Sequence, residues 1–136
     1  PFFKSRKSPF IVCTAIIVVK MRVLYLFPAA LPLPLLYVVF FVFAVCASSF
    51  VVIGFTATKE LFPVAIAGTS VGTVNLFPFL GGAVYMPLLG KILDVHPREA
   101  SGAYALEGYT TMLLVLLISA VVALGCTLMM KETYKG

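Results

Sequence analysis

From Leu33 to Phe55 the chain runs for 23 residues without a charged side chain, and from Tyr109 to Met130 for another 22. A helix rises about 1.5 Å per residue and the hydrocarbon core of a bilayer is about 30 Å thick, so each run has the length of a membrane span. Charged residues make up 11% of the chain, against roughly 25% in a soluble domain. A soluble domain with an ordinary charged surface is thereby excluded. The fold class expected is all-α, a polytopic transmembrane helix bundle.

Two further apolar stretches complete a set of four. Residues 9–27 are long enough to span but carry Lys20 and Arg22 in their second half. Long basic side chains snorkel toward an interface, and Lys20 lies only about 10 Å of helix from Phe27. Pro28, Pro32 and Pro34 then break the chain, since each removes a backbone donor. Residues 56–62 read as a short polar connection, and a third apolar stretch covers 63–90. Its five glycines and its Pro78 and Pro87 weaken a helix in water but are tolerated in a membrane. Residues 91–108 form the one sizeable hydrophilic loop. The expected spans are therefore 9–27, 33–55, 63–90 and 109–130, with both termini on one side.

Charge placement sets an orientation. Lys4, Arg6, Lys7, Lys59, Lys131 and Lys135 share one side, against Lys91 and Arg98 on the other. Basic residues flanking spans accumulate on the cytoplasmic face, so both ends are expected to be cytoplasmic at the plasma (inner) membrane. The net charge of +5 is dispersed between hydrophobic runs rather than gathered on a face, which argues against a nucleic-acid partner. The bilayer is the partner expected.

The inventory of reactive groups is short. Glu60, Asp94, Glu99, Glu107 and Glu132 all lie outside the apolar runs, so none serves as a mid-membrane proton relay. His96 stands alone in the loop, whereas a metal site needs converging ligands. Cys13, Cys46 and Cys126 are far apart in sequence and read as small buried hydrophobes. No hydrolase or phosphate-binding motif occurs. The chain is not expected to be an enzyme, and no metal or cofactor is expected.

The third span holds the residues that invite a function. Gly68, Gly72, Asn75, Phe79 and Gly82 recur at three- and four-residue spacing and share a face. Gly68 and Gly72 form a small-xxx-small surface suited to helix packing, with Gly81, Gly82 and Pro87 further along. Asn75 brings two donors and an acceptor into an apolar span, and must meet another helix or a watery cavity. On the second span Tyr37, Phe41 and Ser48 fall close to one stripe, suited to packing or to lining a cavity.

Taken in order, Lys59-Glu60-Leu61-Phe62-Pro63, Ala67-Gly68-Thr69, Gly72, Asn75, Phe79, Gly81-Gly82-Ala83, Pro87-Leu88, Gly90 and Leu93-Asp94 resemble the late part of bacterial major facilitator superfamily transporters. The resemblance covers nearly the whole chain and is most specific from Lys59 to Asp94. It implies that residues 1–136 are the C-terminal part of such a transporter, its ninth to twelfth helices, in a partial transporter fold. Implied with it are a small-molecule substrate, alternating access, and N-terminal helices of the same transporter as partners. Asn75, Phe79, Tyr37, Phe41 and Ser48 are then candidates to line the cavity. Lys4 to Lys7 look like the end of the family's basic cytoplasmic loop, although the Gly and Asp expected earlier in that motif are absent. Arg6 or Lys7 is thus a candidate to pair with Glu60 as a cytoplasmic gate. A small four-helix structural subunit of a larger membrane complex is the rival reading.

Overall fold

The computed structural model describes residues 5–99 and 102–132, and these form four long helices. The helix α1 covers Lys7–Leu26, α2 Leu33–Leu61, α3 Ala67–Val95 and α4 Leu106–Met129, with a single 3-10 turn at Val64–Ile66 before α3. All four are long and apolar enough to cross a membrane. Lys4 and Lys135, which entered the charge count, lie outside the described residues.

Prolines decide where three of the four helices stop. The residue before a proline is pushed out of the helical region by the ring. Phe27 before Pro28 (φ −130°, ψ 57°), Phe62 before Pro63 (φ −117°, ψ 149°) and His96 before Pro97 (φ −88°, ψ 144°) each terminate a helix. Two sequence boundaries are corrected by this rule. Residues 56–61 are not a connection but the last turns of α2, and residues 91–95 belong to α3. Polarity at Thr56 or Lys91 marks where a helix leaves the apolar zone, whereas its end is set by backbone geometry. Inside α2 the hydroxyls of Thr56 and Thr58 donate to the carbonyls of Val52 and Gly54 at 2.9 and 2.8 Å, so these polar residues stay within the helix.

The helices pack in a ring, each against its chain neighbour, and α1 closes it by lying along α4. The seams are built from small and hydroxyl-bearing residues rather than interlocking leucines. Cys46, Ala57, Ala120, Thr14 and Thr58 are buried, and no large side chain is fully enclosed among the described residues. The Thr14 Oγ1 donates to the Phe10 carbonyl at 2.7 Å and lies 3.4 Å from Thr127 Oγ1 on α4. Between α3 and α4, Tyr85 Oη and Ser119 Oγ are 2.6 Å apart, and the serine hydroxyl in turn donates to the Val115 carbonyl. Half-buried polar pairs of this kind suit a seam inside hydrocarbon, where each is worth about 1 kcal/mol.

Glycines act differently from the expectation. A Cβ at Gly68, Gly72, Gly81 or Gly82 would meet nothing within 4 Å, so these do not bring helices together inside this chain, and Pro87 is likewise exposed. The close approach is at Gly108 in the first turn of α4, where a Cβ would lie 3.3 Å from Leu93 Cδ2 and 3.4 Å from His96 Cβ and Cγ. Of the cysteines only Cys46 is buried, while Cys13 is half-buried and Cys126 exposed. A ring of four helices leaves each a broad outward face, and Cys126 falls on it.

Gly108→Val should lower the thermal midpoint of the detergent-purified chain, since overpacking costs about 1–3 kcal/mol. Gly125→Ala, at a position with open space, should raise it through a helix-propensity gain of up to about 1 kcal/mol. Differential scanning fluorimetry on the two variants checks both signs.

Candidate functional site

At the end of the bundle where α1 begins and α2 and α4 finish, charges tie three helices together. Arg6 donates from Nη2 to Glu60 Oε1 at 2.7 Å and from Nε to both carboxylate oxygens at 3.2 and 3.3 Å. This fork across α1 and α2 matches the planar guanidinium to the planar carboxylate. Both side chains are about one-third exposed, so the pair contributes about 1 kcal/mol or less. Lys7 does not join it. Its Nζ donates instead to the Leu128 carbonyl at 2.7 Å, placing a cation on the last turn of α4, where the helix dipole is negative.

Glu132 reaches the other way, from beyond α4 to the start of α1. Its carboxylate accepts from the Arg6 and Lys7 backbone N–H groups at 2.7 and 3.4 Å and from the Ser5 hydroxyl. The orphan donors of a helix N-terminus are thereby met by a carboxylate more than 120 residues away in sequence. Ser5 Oγ also accepts from the Ser8 N–H at 3.0 Å, the geometry of a helix cap. Sequence reasoning missed Glu132, since a terminal Glu after a basic residue carries no local signal of its target.

Asn75 lies about 12 Å along α3 from its first residue. It borders a groove of about 120 Å³ between α2 and α3, with Phe50, Phe55, Val74 and Pro78 around it. Its amide makes no hydrogen bond among the described residues, and it is exposed. Pro78 adds a second polar feature, because a proline has no N–H to give the carbonyl four residues back, here that of Val74. An amide and a carbonyl that lacks its usual i+4 donor thus adjoin on one apolar wall. Leaving a polar group of this kind in hydrocarbon costs several kcal/mol.

The other cavity candidates are more scattered. Phe79, Tyr37 and Phe41 are about 70% exposed and none of them borders the Asn75 groove. Ser48 is also exposed and lies in a separate, shallow groove on α2 beside Ser49 and Val52. The five candidates therefore do not form one site within this chain.

Lys20 is the clearest departure from expectation. It is buried, at 9% exposure, and its Nζ lies 4.6 Å from the centroid of the Phe43 ring on α2. Snorkelling outward does not describe it, although Arg22 is exposed. A lysine at the centre of a spanning helix costs about 2.5–3.5 kcal/mol, and a desolvated cation–π contact returns about 2 kcal/mol. The ring thus offsets much of the burial cost, and it does so from an aromatic that the sequence offers no means of singling out among twelve phenylalanines.

At the opposite end, the loop after α3 folds on itself. Tyr104 Oη donates to Asp94 Oδ1 at 3.1 Å and accepts from Arg98 Nη2 at 3.1 Å, and the Arg98 guanidinium stacks 4.6 Å above its ring. Gly102, at φ +82°, makes the turn. His96 Nδ1 lies 2.7 Å from the Ile92 carbonyl, so the imidazole serves the end of α3. Among the described residues no cluster of three metal-ligating side chains occurs.

Comparison with protein-family models, curated proteins and solved structures returned no match.

In the Lys20→Met background, Phe43→Leu should cost about 1–2 kcal/mol less than in the native chain, the difference being the cation–π contact. A double-mutant cycle of unfolding in detergent measures it.

Proposed function

We propose that the chain is a four-helix portion of a major facilitator type transporter, moving a small metabolite across the plasma (inner) membrane by alternating access. Its termini face the cytoplasm, and the helices that complete the carrier come from the rest of the same protein. The observation that carries the reading is Asn75, exposed and without a side-chain hydrogen bond among the described residues, beside the Val74 carbonyl to which Pro78 offers no donor. Lipid does not solvate such a surface, so further helices or a water-filled path must cover it. Broken or proline-bearing helices that present polar backbone to a cavity are how transporters build solute sites at membrane depth.

The Arg6–Glu60 fork supports the second half of the proposal. A partly exposed pair worth about 1 kcal/mol holds α1 and α2 together at one face and is weak enough to break on each cycle. It acts as a cytoplasmic gate, closed in the outward-facing state. A different observation favours the rival reading of a structural subunit: the four helices already close a ring among themselves.

Cysteine labelling in the complete protein separates the readings. With the native cysteines replaced, Asn75→Cys should react with a membrane-impermeant maleimide and Ile118→Cys should not. Equal inertness of the two would remove the solute-path reading. Glu60→Gln should change the transport rate several-fold with little effect on substrate affinity, as expected of a residue acting on a conformational step. Unchanged rates at normal expression would sink the gate.

A further inference from the structure

We propose that the basic end of the bundle carries a seat for an anionic phospholipid, with an acyl chain in the groove beneath Lys131 and the phosphate against its ammonium. The groove, of about 280 Å³, is lined by Phe10 of α1, Gly54 and Leu61 of α2, Val74 of α3, Met130 and Lys131. Its volume falls near the lower end of ligand pockets.

Charge complementarity identifies the occupant. At and just beyond the helix ends, this face carries Arg6, Lys7, Lys59 and Lys131 against Glu60 and Glu132 among the described residues. Four positive minus two negative leaves +2. At the opposite end Arg22, Lys91 and Arg98 stand against Asp94, Glu99 and Glu107, and three minus three leaves zero. Both acids at the basic end are already engaged, Glu60 by Arg6 and Glu132 by the start of α1. Lys59 and Lys131 form no ion pair among the described residues and keep their charge for an outside anion.

The groove favours a lipid over a free anion. Its wall is apolar, and the Thr58 hydroxyl within it is spent on the Gly54 carbonyl, so an inorganic anion would find one ammonium and no ring of donors. A lipid gains the wall as well as the charge. The hydrogen bonds that join α3 to α4, at Tyr85–Ser119 and His96–Thr111, lie toward the other end. No described hydrogen bond ties the two helices beside the groove. An acidic headgroup near one membrane-proximal lysine gains about a fivefold preference.

The inference rests on residence in a bilayer and not on transport. Native mass spectrometry of the purified full chain in micelles holding equimolar phosphatidylglycerol and phosphatidylcholine tests it. About a fivefold excess of retained phosphatidylglycerol is expected. Lys131→Gln, at an exposed position that does not threaten folding, should bring the ratio close to one, and Lys91→Gln should leave it unchanged. Gly54→Leu, which fills the groove, should reduce retention of both lipids at unaltered helicity by circular dichroism. Equal retention by the native chain, the same loss with Lys91→Gln, or displacement by millimolar inorganic phosphate would each overturn the seat. Alkaline carbonate extraction of membranes distinguishes the failures: a released chain defeats bilayer residence itself, whereas a retained chain without lipid selectivity defeats only the seat.

Discussion

In hydrocarbon a peptide group has no solvent to bond, and every other feature of this chain follows from that constraint. Backbone donors and acceptors must be met inside each helix, so 23 uncharged residues admit one regular structure. The same constraint ranks the exceptions. Helix ends, proline gaps and lone polar side chains are the places where bonding is incomplete, and the termini of α1 and α4 are tied up by each other's flanking residues. Glu132 meets the first N–H groups of α1, and Lys7 meets a terminal carbonyl of α4. Among the described residues the Asn75 amide forms no side-chain hydrogen bond, and Pro78 has no N–H to offer the adjoining Val74 carbonyl.

Packing in this ring obeys a second rule, that apolar surface has no reason to leave lipid. Helices in a membrane gain from close contact and polar pairing rather than from hiding leucines. That explains why the seams hold Thr14, Thr58, Ala120 and Cys46 while Phe40, Phe77 and Met86 face outward. It also explains why a lysine is tolerated within α1. Lys20 sits against an aromatic face, which supplies electron density where water cannot, and a purely aliphatic neighbour would leave the ammonium's cost unopposed.

Helix number and approximate position were legible because they depend on local quantities, run length and charge. Boundaries were less so, since polarity at Thr56 and Lys91 reports depth while Pro63 and Pro97 report the stop. The Arg6–Glu60 contact was suggested by resemblance to a transporter motif, and the two side chains do meet. Lys20 over Phe43, Glu132 on α1 and the approach at Gly108 were not legible. Each depends on which helices become neighbours, and α1 against α4 joins the two ends of the chain. The glycines at 68, 72, 81 and 82 show the converse: spacing identifies a smooth face but not whether a helix lies on it.

That smooth face and Asn75 belong to the same helix, and together they bear on what the ring is for. A self-sufficient bundle would turn its small residues inward, where close approach is rewarded, and its bulky ones to lipid. Here α3 turns neither kind inward over its first half: Gly68, Gly72 and Asn75 lie exposed beside Leu76, Phe77 and Phe79. An unpaired amide costs several kcal/mol in hydrocarbon, while the small residues beside it give up contact area for no return. Both losses are recovered if another helix or a wet path runs along that side of α3. On the transporter reading proposed above, the ring is one wall of a larger assembly, and the Arg6–Glu60 pair ties two of its helices at the charged end.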